Sequence, residues 1–324
     1  MKKTAVMLLV ACVAGCGGGG GGQKGPSFTP VSATKDGDLY TLQLGDLKMV
    51  VDSGRGARVT EFSLGGTNAL VIRDDSANYG STYWPSPQSS WCAGGTGCWP
   101  APAEIDTQAY TGAIDGANSI QLTSGVASLG AFADSAIVVG KTFTPVPEHG
   151  AVDVTYTLTN TSTSVSVSLA PWQVTRVAAG GLTFFGYESA DVTYAADSDP
   201  AFVLTEVDGI RWYSWATVNH DSKAFTDSTG WVAQVTTHGQ FFLTSSQDIQ
   251  PAEAAPGEAE VELFTNRDSV YVEVEQQGAL ARLEPGAVLT WSVRWKLRPT
   301  PTGESFFTPG SADLVALASK VLAE

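Results

Sequence analysis

The residues best suited to chemistry are acidic and crowd into one hairpin. In AEVELFTNRDSVYVEVE (259–275) the two-residue period of a strand puts Glu260, Glu262, Phe264, Tyr271, Glu273 and Glu275 on one face. With NRDS as the turn, Glu262 is expected opposite Glu273, and Glu260 opposite Glu275. Like charges facing each other cost a sheet up to about 1 kcal/mol. Such a face is either solvated or a groove where a carboxylate holds a proton, pairs with arginine or binds a cation. Arg58 in GARVTEF and Arg176 in WQVTRVA stand in otherwise apolar strands, suited to a buried carboxylate or to a ligand oxygen. There are three histidines. His149 and His238 sit in turns and read as surface. His220, in VNHDSKAF, has Asp221 and Lys223 beside it, a set able to move a proton if its loop folds over a groove.

Aromatic residues concentrate elsewhere. YWPSPQSSWCAGGTGCWPAP (83–102) holds three tryptophans, two cysteines and four prolines. Trp84, Trp91 and Trp99 there, with Trp172 further on, suit either the core or a platform for the CH faces of sugars. Cys92 and Cys98, with three glycines between them, suit a small disulfide loop in an oxidising compartment. No histidine or second cysteine pair nearby would complete a metal site. A bridge there is expected to hold Trp91 and Trp99 rigid and exposed, lowering the entropy cost of binding.

These residues must be positioned by strands. Segments such as YTLQLG, LKMVVD, SAIVVGKTFTP, AVDVTYTLTNTS and VLTWSVRWKLRP are short, alternating and rich in Val, Thr and aromatics, with turns such as LGGTN, PEHG and LEPGA between them. No break in composition divides them. Residues 36–299 therefore read as one all-β domain, a large antiparallel β-sandwich, followed by an extension over 300–324. That extension carries a short C-terminal helix from Ser311, with Leu314, Leu317, Val321 and Leu322 as its apolar stripe.

The N-terminus reads as an address. MKKTAVMLLVACVAGC (1–16) has two lysines, a short apolar run and small residues before a cysteine, the layout of a secretory signal. VAGC resembles a bacterial lipobox, which implies lipidation at Cys16 and a membrane contact through that lipid alone. LVAC, ending at Cys12, also fits but leaves a stunted apolar core, and cleavage without lipid is the third reading. The glycine run that follows reads as part of a flexible tether over 17–35. Glycine at the second mature position carries no inner-membrane retention signal, so an exported protein of the outer membrane is expected. The chain has 18 basic and 33 acidic residues, net −15, and removing Lys2 and Lys3 with the signal gives −17. A surface this acidic disfavours nucleic acid and anionic headgroups.

With the strands in place, the order of motifs resembles the galactose mutarotase-like, aldose epimerase-related β-supersandwich, in particular a bacterial branch of it. VVDSGRGARVTEFSLGGTNAL is similar to its opening hairpin, and NYGSTYWPSPQSSW with CWPAPAEID resembles the branch's Trp/Pro-rich segment. YTLTNTSTSVSVSLAPWQVTRVAAGG looks like the strands that deliver a catalytic histidine, and VELFTNRDSVYVEVEQQGALARLEPGAVLTWSVRW like the segment that delivers a catalytic glutamate. The resemblance implies a sugar ligand and puts Glu275 at the glutamate's place. At the histidine's place stand Leu169, Ala170, Pro171 and Trp172, and SPQSS, with Gln88, replaces the family's sugar-binding Asn-Arg pair. Mutarotation needs a base for the anomeric hydroxyl and an acid for the ring oxygen, and alanine donates no proton.

Three functions fit. The first is a lipid-anchored carbohydrate-binding protein using Trp84, Gln88, Trp91, Trp99, Trp172, Arg58, Arg176, Lys223 and Glu273. The second is an epimerase or lyase-like enzyme on sugars, with Glu275 and with His220 or Tyr271 in the vacant role. The third is a structural envelope protein whose groove is vestigial. No serine-hydrolase elbow, phosphate-cradling loop or zinc or calcium signature is present, and no cofactor or metal is expected.

Overall fold

A computed structural model of the chain describes residues 25–73, 78–301 and 303–324. The signal-like segment, Cys16 and the glycine run lie outside the described residues. Alternating sequences become strands because period two lets one face of each bury while the backbone pairs sideways. Among the described residues the strands form two antiparallel sheets, of twelve and ten strands, packed face to face as a sandwich. In the larger sheet Ser81–Ser86, Val167–Ala178, Tyr271–Gln277, Val261–Thr265 and Ser222–Thr226 lie side by side in that order. The long strands Ile137–Val146, Ala151–Asn160 and Val288–Pro299 are neighbours in the smaller one.

The core between the sheets fixes which way each site residue points. Tyr83 stacks on Tyr156 across the interface at 4.7 Å, and Phe62 meets Trp295 at 5.3 Å. Gln173 Oε1 accepts from the Tyr156 hydroxyl at 3.0 Å and the Trp295 indole at 2.9 Å, which anchors its strand to the opposite sheet. The alternate residues Trp84, Trp172, Glu275 and Glu262, with Lys223, therefore share the face turned away from the second sheet.

Three sequence expectations change. The first strand begins at Val31 and runs to Asp36, inside the segment read as tether, because it pairs in full with Leu39–Leu44. A one-turn helix, Ala103–Asp106, follows Pro102, where the sequence shows no helical periodicity. The acidic hairpin is two residues out of the expected register. Glu262 faces Glu275, and Phe264 faces Glu273. The cause is the loop. Ser269 N donates to Asn266 O at 2.8 Å, closing NRDS, and Ser269 then takes a φ of +52°. Val270 joins the connection, so pairing begins only at Thr265 and Val272. A slip of two leaves the faces unchanged.

The C-terminal helix spans Ala312–Ala323, with Ser311 Oγ accepting from Leu314 N at 3.3 Å. It buries Leu314, Ala318 and Val321 against Phe184, Phe241 and Leu243, while Leu322 faces out. Leu314→Ala is expected to lower the unfolding free energy by about 2–5 kcal/mol. Leu322→Ala should change it by less than about 0.5 kcal/mol. Urea unfolding followed by circular dichroism separates the two.

Candidate functional site

Three neighbouring strands bring one lysine between two glutamates. Lys223 Nζ lies 2.5 Å from Glu262 Oε2 and 3.1 Å from Glu275 Oε2. The ammonium also sits 4.8 Å from the centre of the Trp172 ring, whose indole N–H donates to Glu275 Oε2 at 2.8 Å. Glu262 Oε1 accepts from Gln277 Nε2 at 2.6 Å and from Ala259 N at 3.0 Å. Both glutamates are 0% exposed. The acidic face is thus neither solvated nor open: a lysine takes the part of the expected cation.

Burial is the largest influence on each group and acts in opposite senses on the two charges. It lifts Glu275 well above the usual carboxylate range; Lys223 opposes this, while Glu262 and Glu273 reinforce it. Burial alone would lower Lys223, but Glu262 and Glu275 outweigh it and hold the ammonium above its ordinary range.

Beside this cluster, Arg176 Nε donates to Glu273 Oε1 at 2.8 Å, and its guanidinium carbon lies 5.4 Å from the Trp84 ring centre. Arg58 Nη2 pairs with Asp106 Oδ1 at 2.8 Å. The same oxygen accepts from Thr82 Oγ1 at 2.8 Å and the Trp84 indole at 2.9 Å. Asp106 went unnoticed in the sequence because nothing in APAEID ties it to an arginine 48 residues earlier.

The tryptophans form one cluster rather than a platform. Trp84 meets Trp172 at 5.2 Å and Trp91 at 5.6 Å, and Trp91 meets Trp172 at 6.0 Å. Trp91 was expected to be exposed, yet it is 7% exposed, wedged against both rings with its indole donating to Pro85 O at 2.6 Å. Trp99 alone of the four presents its ring, at 53% exposure, braced on Trp84 at 5.3 Å. Cys92 and Cys98 are disulfide-bonded. Gln88 ties that loop down: its Nε2 donates to Cys98 O and its backbone N to Glu258 Oε1, each at 2.8 Å.

Lys223 and Phe264 line a cleft of about 800 Å³ that also takes in Asp197, His220, Asp221 and Arg267. His220 is exposed there, and among the described residues no hydrogen bond or ion pair joins its ring to Glu275. Asp221 instead holds Arg267, through its backbone N at 2.9 Å and its Nε at 3.3 Å. The sequence put Lys223 in a loop with His220 and Asp221; it stands instead in the strand Ser222–Thr226, and its side-chain partners are the two glutamates of the neighbouring strands. Among the described residues, no three His, Cys, Asp or Glu side chains are grouped to hold a metal ion.

No protein-family sequence model matches the chain, and no curated protein matches it by sequence. Solved structures do. A galactose mutarotase-like protein from Lactobacillus casei superposes with a TM-score of 0.55 at 12% identity, covering 83% of this chain and 100% of that one. Another, from Clostridium acetobutylicum, gives 0.56 at 10% identity, covering 83% and 98%. The fold is galactose mutarotase-like. In this mutarotase-like frame the strand that the resemblance assigns to a catalytic histidine offers Glu275 only the Trp172 indole.

Two further carboxyls at the edge of the cluster make stability depend on pH. Burial first, then the charge of Glu262, push Glu258 up to about 8. Burial pushes Glu260 up to about 7 against the hydrogen bonds from Ser228. Both folded values lie above the ordinary 4.5, so the folded state binds more protons than the unfolded state in between. The stabilisation is complete at or below pH 4.5 and is lost as pH rises through 7 to 8. Urea midpoints measured from pH 5 to pH 8.5 are expected to fall, and Glu258→Gln with Glu260→Gln to flatten that slope.

Proposed function

We propose that the chain is an exported, lipid-anchored carbohydrate-binding protein of the bacterial cell envelope that does not use Glu275 for mutarotase chemistry. The observation that carries this reading is the enclosure of Glu275. A base for an anomeric hydroxyl must reach it, within about 3 Å. Here the carboxyl is 0% exposed, and its Oε2 is occupied by Lys223 and Trp172.

A sugar would bind beside this closed position, in the cleft floored by Lys223 and Phe264. Phe264 offers an apolar ring edge, while Asp197, His220, Asp221 and Arg267 offer the donors and acceptors that hydroxyls require. The exposed Trp99 ring adds a second apolar surface on the tryptophan cluster. Lipidation at Cys16, followed by the glycine run, would hold the domain near the outer membrane while its acidic surface keeps it off anionic headgroups.

Calorimetric titration with neutral sugars is expected to give saturable binding, while NMR of freshly dissolved aldoses shows no faster anomer exchange. Acceleration lost in Glu275→Gln would restore that residue to an enzyme mechanism. Absence of binding to any sugar by folded protein would leave the groove vestigial. Removing the disulfide opens a loop of six-residue separation, which costs about 2 kcal/mol by loop entropy. Cys92→Ser with Cys98→Ser should therefore keep the β-sheet spectrum and weaken sugar binding through Trp99. In cells, Cys16→Ser should abolish incorporation of labelled palmitate.

A further inference from the structure

Beside the cleft, a second pocket of about 320 Å³, lined by Arg73, Asn78, Asn266, Asp268 and Tyr271, shares Asp221, Phe264 and Arg267 with it. The two cavities therefore meet at one ion pair and one aromatic ring. Sites for whole drug-sized ligands span about 300 to 1,000 Å³, so the larger cleft alone approaches the upper end of that range. A single pyranose would leave most of it empty.

What lies at the junction suits a continuing chain better than a barrier. Arg267 and Asp221 are 67% and 49% exposed in their side chains, which approach to 3.3 Å, while Asp221 Oδ1 also accepts from Arg267 N at 2.9 Å. Exposed side-chain pairs of this kind contribute little, so a ligand can insert hydroxyls between them at small cost. Each partner also complements sugar hydroxyls: the guanidinium donates and the carboxylate accepts. Phe264 borders both cavities and packs near Tyr271, with ring centres 6.5 Å apart, so apolar surface continues past the junction.

The charges select a class. Lys223 is held by Glu262 and Glu275, Arg267 by Asp221, and Arg73 on the side pocket is not free either, so the cations of both cavities are already engaged. The whole chain carries −15, which repels polyanions.

We propose that the cleft and the side pocket together bind one neutral linear oligosaccharide of three or more units, with sugar rings on both sides of the Asp221–Arg267 pair. The proposal rests on the carbohydrate-binding reading of this cleft and extends it to chain length and charge.

The test is calorimetric titration of the whole protein with cello-, manno-, malto- and chito-oligosaccharide series of one to six units, and with an oligouronate series. At least one neutral series is expected to gain tenfold or more in affinity between the monosaccharide and the trimer or tetramer. Asn266→Trp, which fills only the side pocket, should remove most of that gain and leave the affinity for the shortest binding sugar within about twofold. Phe264→Ala should weaken every length. Circular dichroism confirms that each variant is folded. Equal affinity for one and four units would overturn the extended site while leaving the sugar reading intact, as would a chain-length gain that survives Asn266→Trp. Tighter binding of oligouronates would overturn the charge class. Failure of every sugar to bind would remove the carbohydrate reading and this inference with it.

Discussion

Two carboxylates directly opposite each other on adjacent strands are a liability for any sheet, and here a third strand supplies the remedy. Glu262 faces Glu275, and Lys223 reaches both from Ser222–Thr226. An ion pair taken out of water is stable only when its remaining hydrogen bonds are met. Trp172, Gln277 and the backbone of Ala259 meet several of them. The arrangement then constrains its neighbours. Trp172 must turn its indole toward Glu275, which sets the ring against which Trp84 and Trp91 pack. Trp84 in turn donates to Asp106, which is paired with Arg58. One lysine thus begins a chain of contacts that closes the outward face of the larger sheet.

Closure separates fold from activity. A mutarotase-like sandwich can present a glutamate on this face, but chemistry depends on the site grafted onto the fold. Here the glutamate is buried beneath Lys223 and Trp172, and the open volume lies to one side, where Lys223 and Phe264 meet loop residues. Loops tolerate variation that the buried cluster does not, so recognition can move to them while the frame stays the same.

Much of this was legible in the sequence. Alternation in segments such as AVDVTYTLTNTS gave the strands, because period two is a local property. The same period put Glu262, Glu273 and Glu275 on one face. Partners were harder. The hairpin register depended on whether Val270 joined the loop, and the backbone at Ser269 decided that. Arg58 and Arg176 read from their apolar surroundings as either buried pairs or ligand contacts, and since Asp106 is separated from Arg58 by 48 residues, no local pattern decides between them. Trp91 and Trp99 looked alike, each beside a cysteine. Only the packing of Trp91 between Trp84 and Trp172 distinguishes the buried ring from the exposed one.

Lys223 neutralises the facing glutamates. Unfolding free energies decide it when Lys223→Met is compared with the triple variant that adds Glu262→Gln and Glu275→Gln. Removing one partner of a buried pair costs about 3–5 kcal/mol, because the remaining charge is left uncompensated. A loss of that order is expected for Lys223→Met, with the triple variant more stable than the single one by at least about 1 kcal/mol. A triple variant less stable than Lys223→Met, with the three effects simply adding, would contradict it.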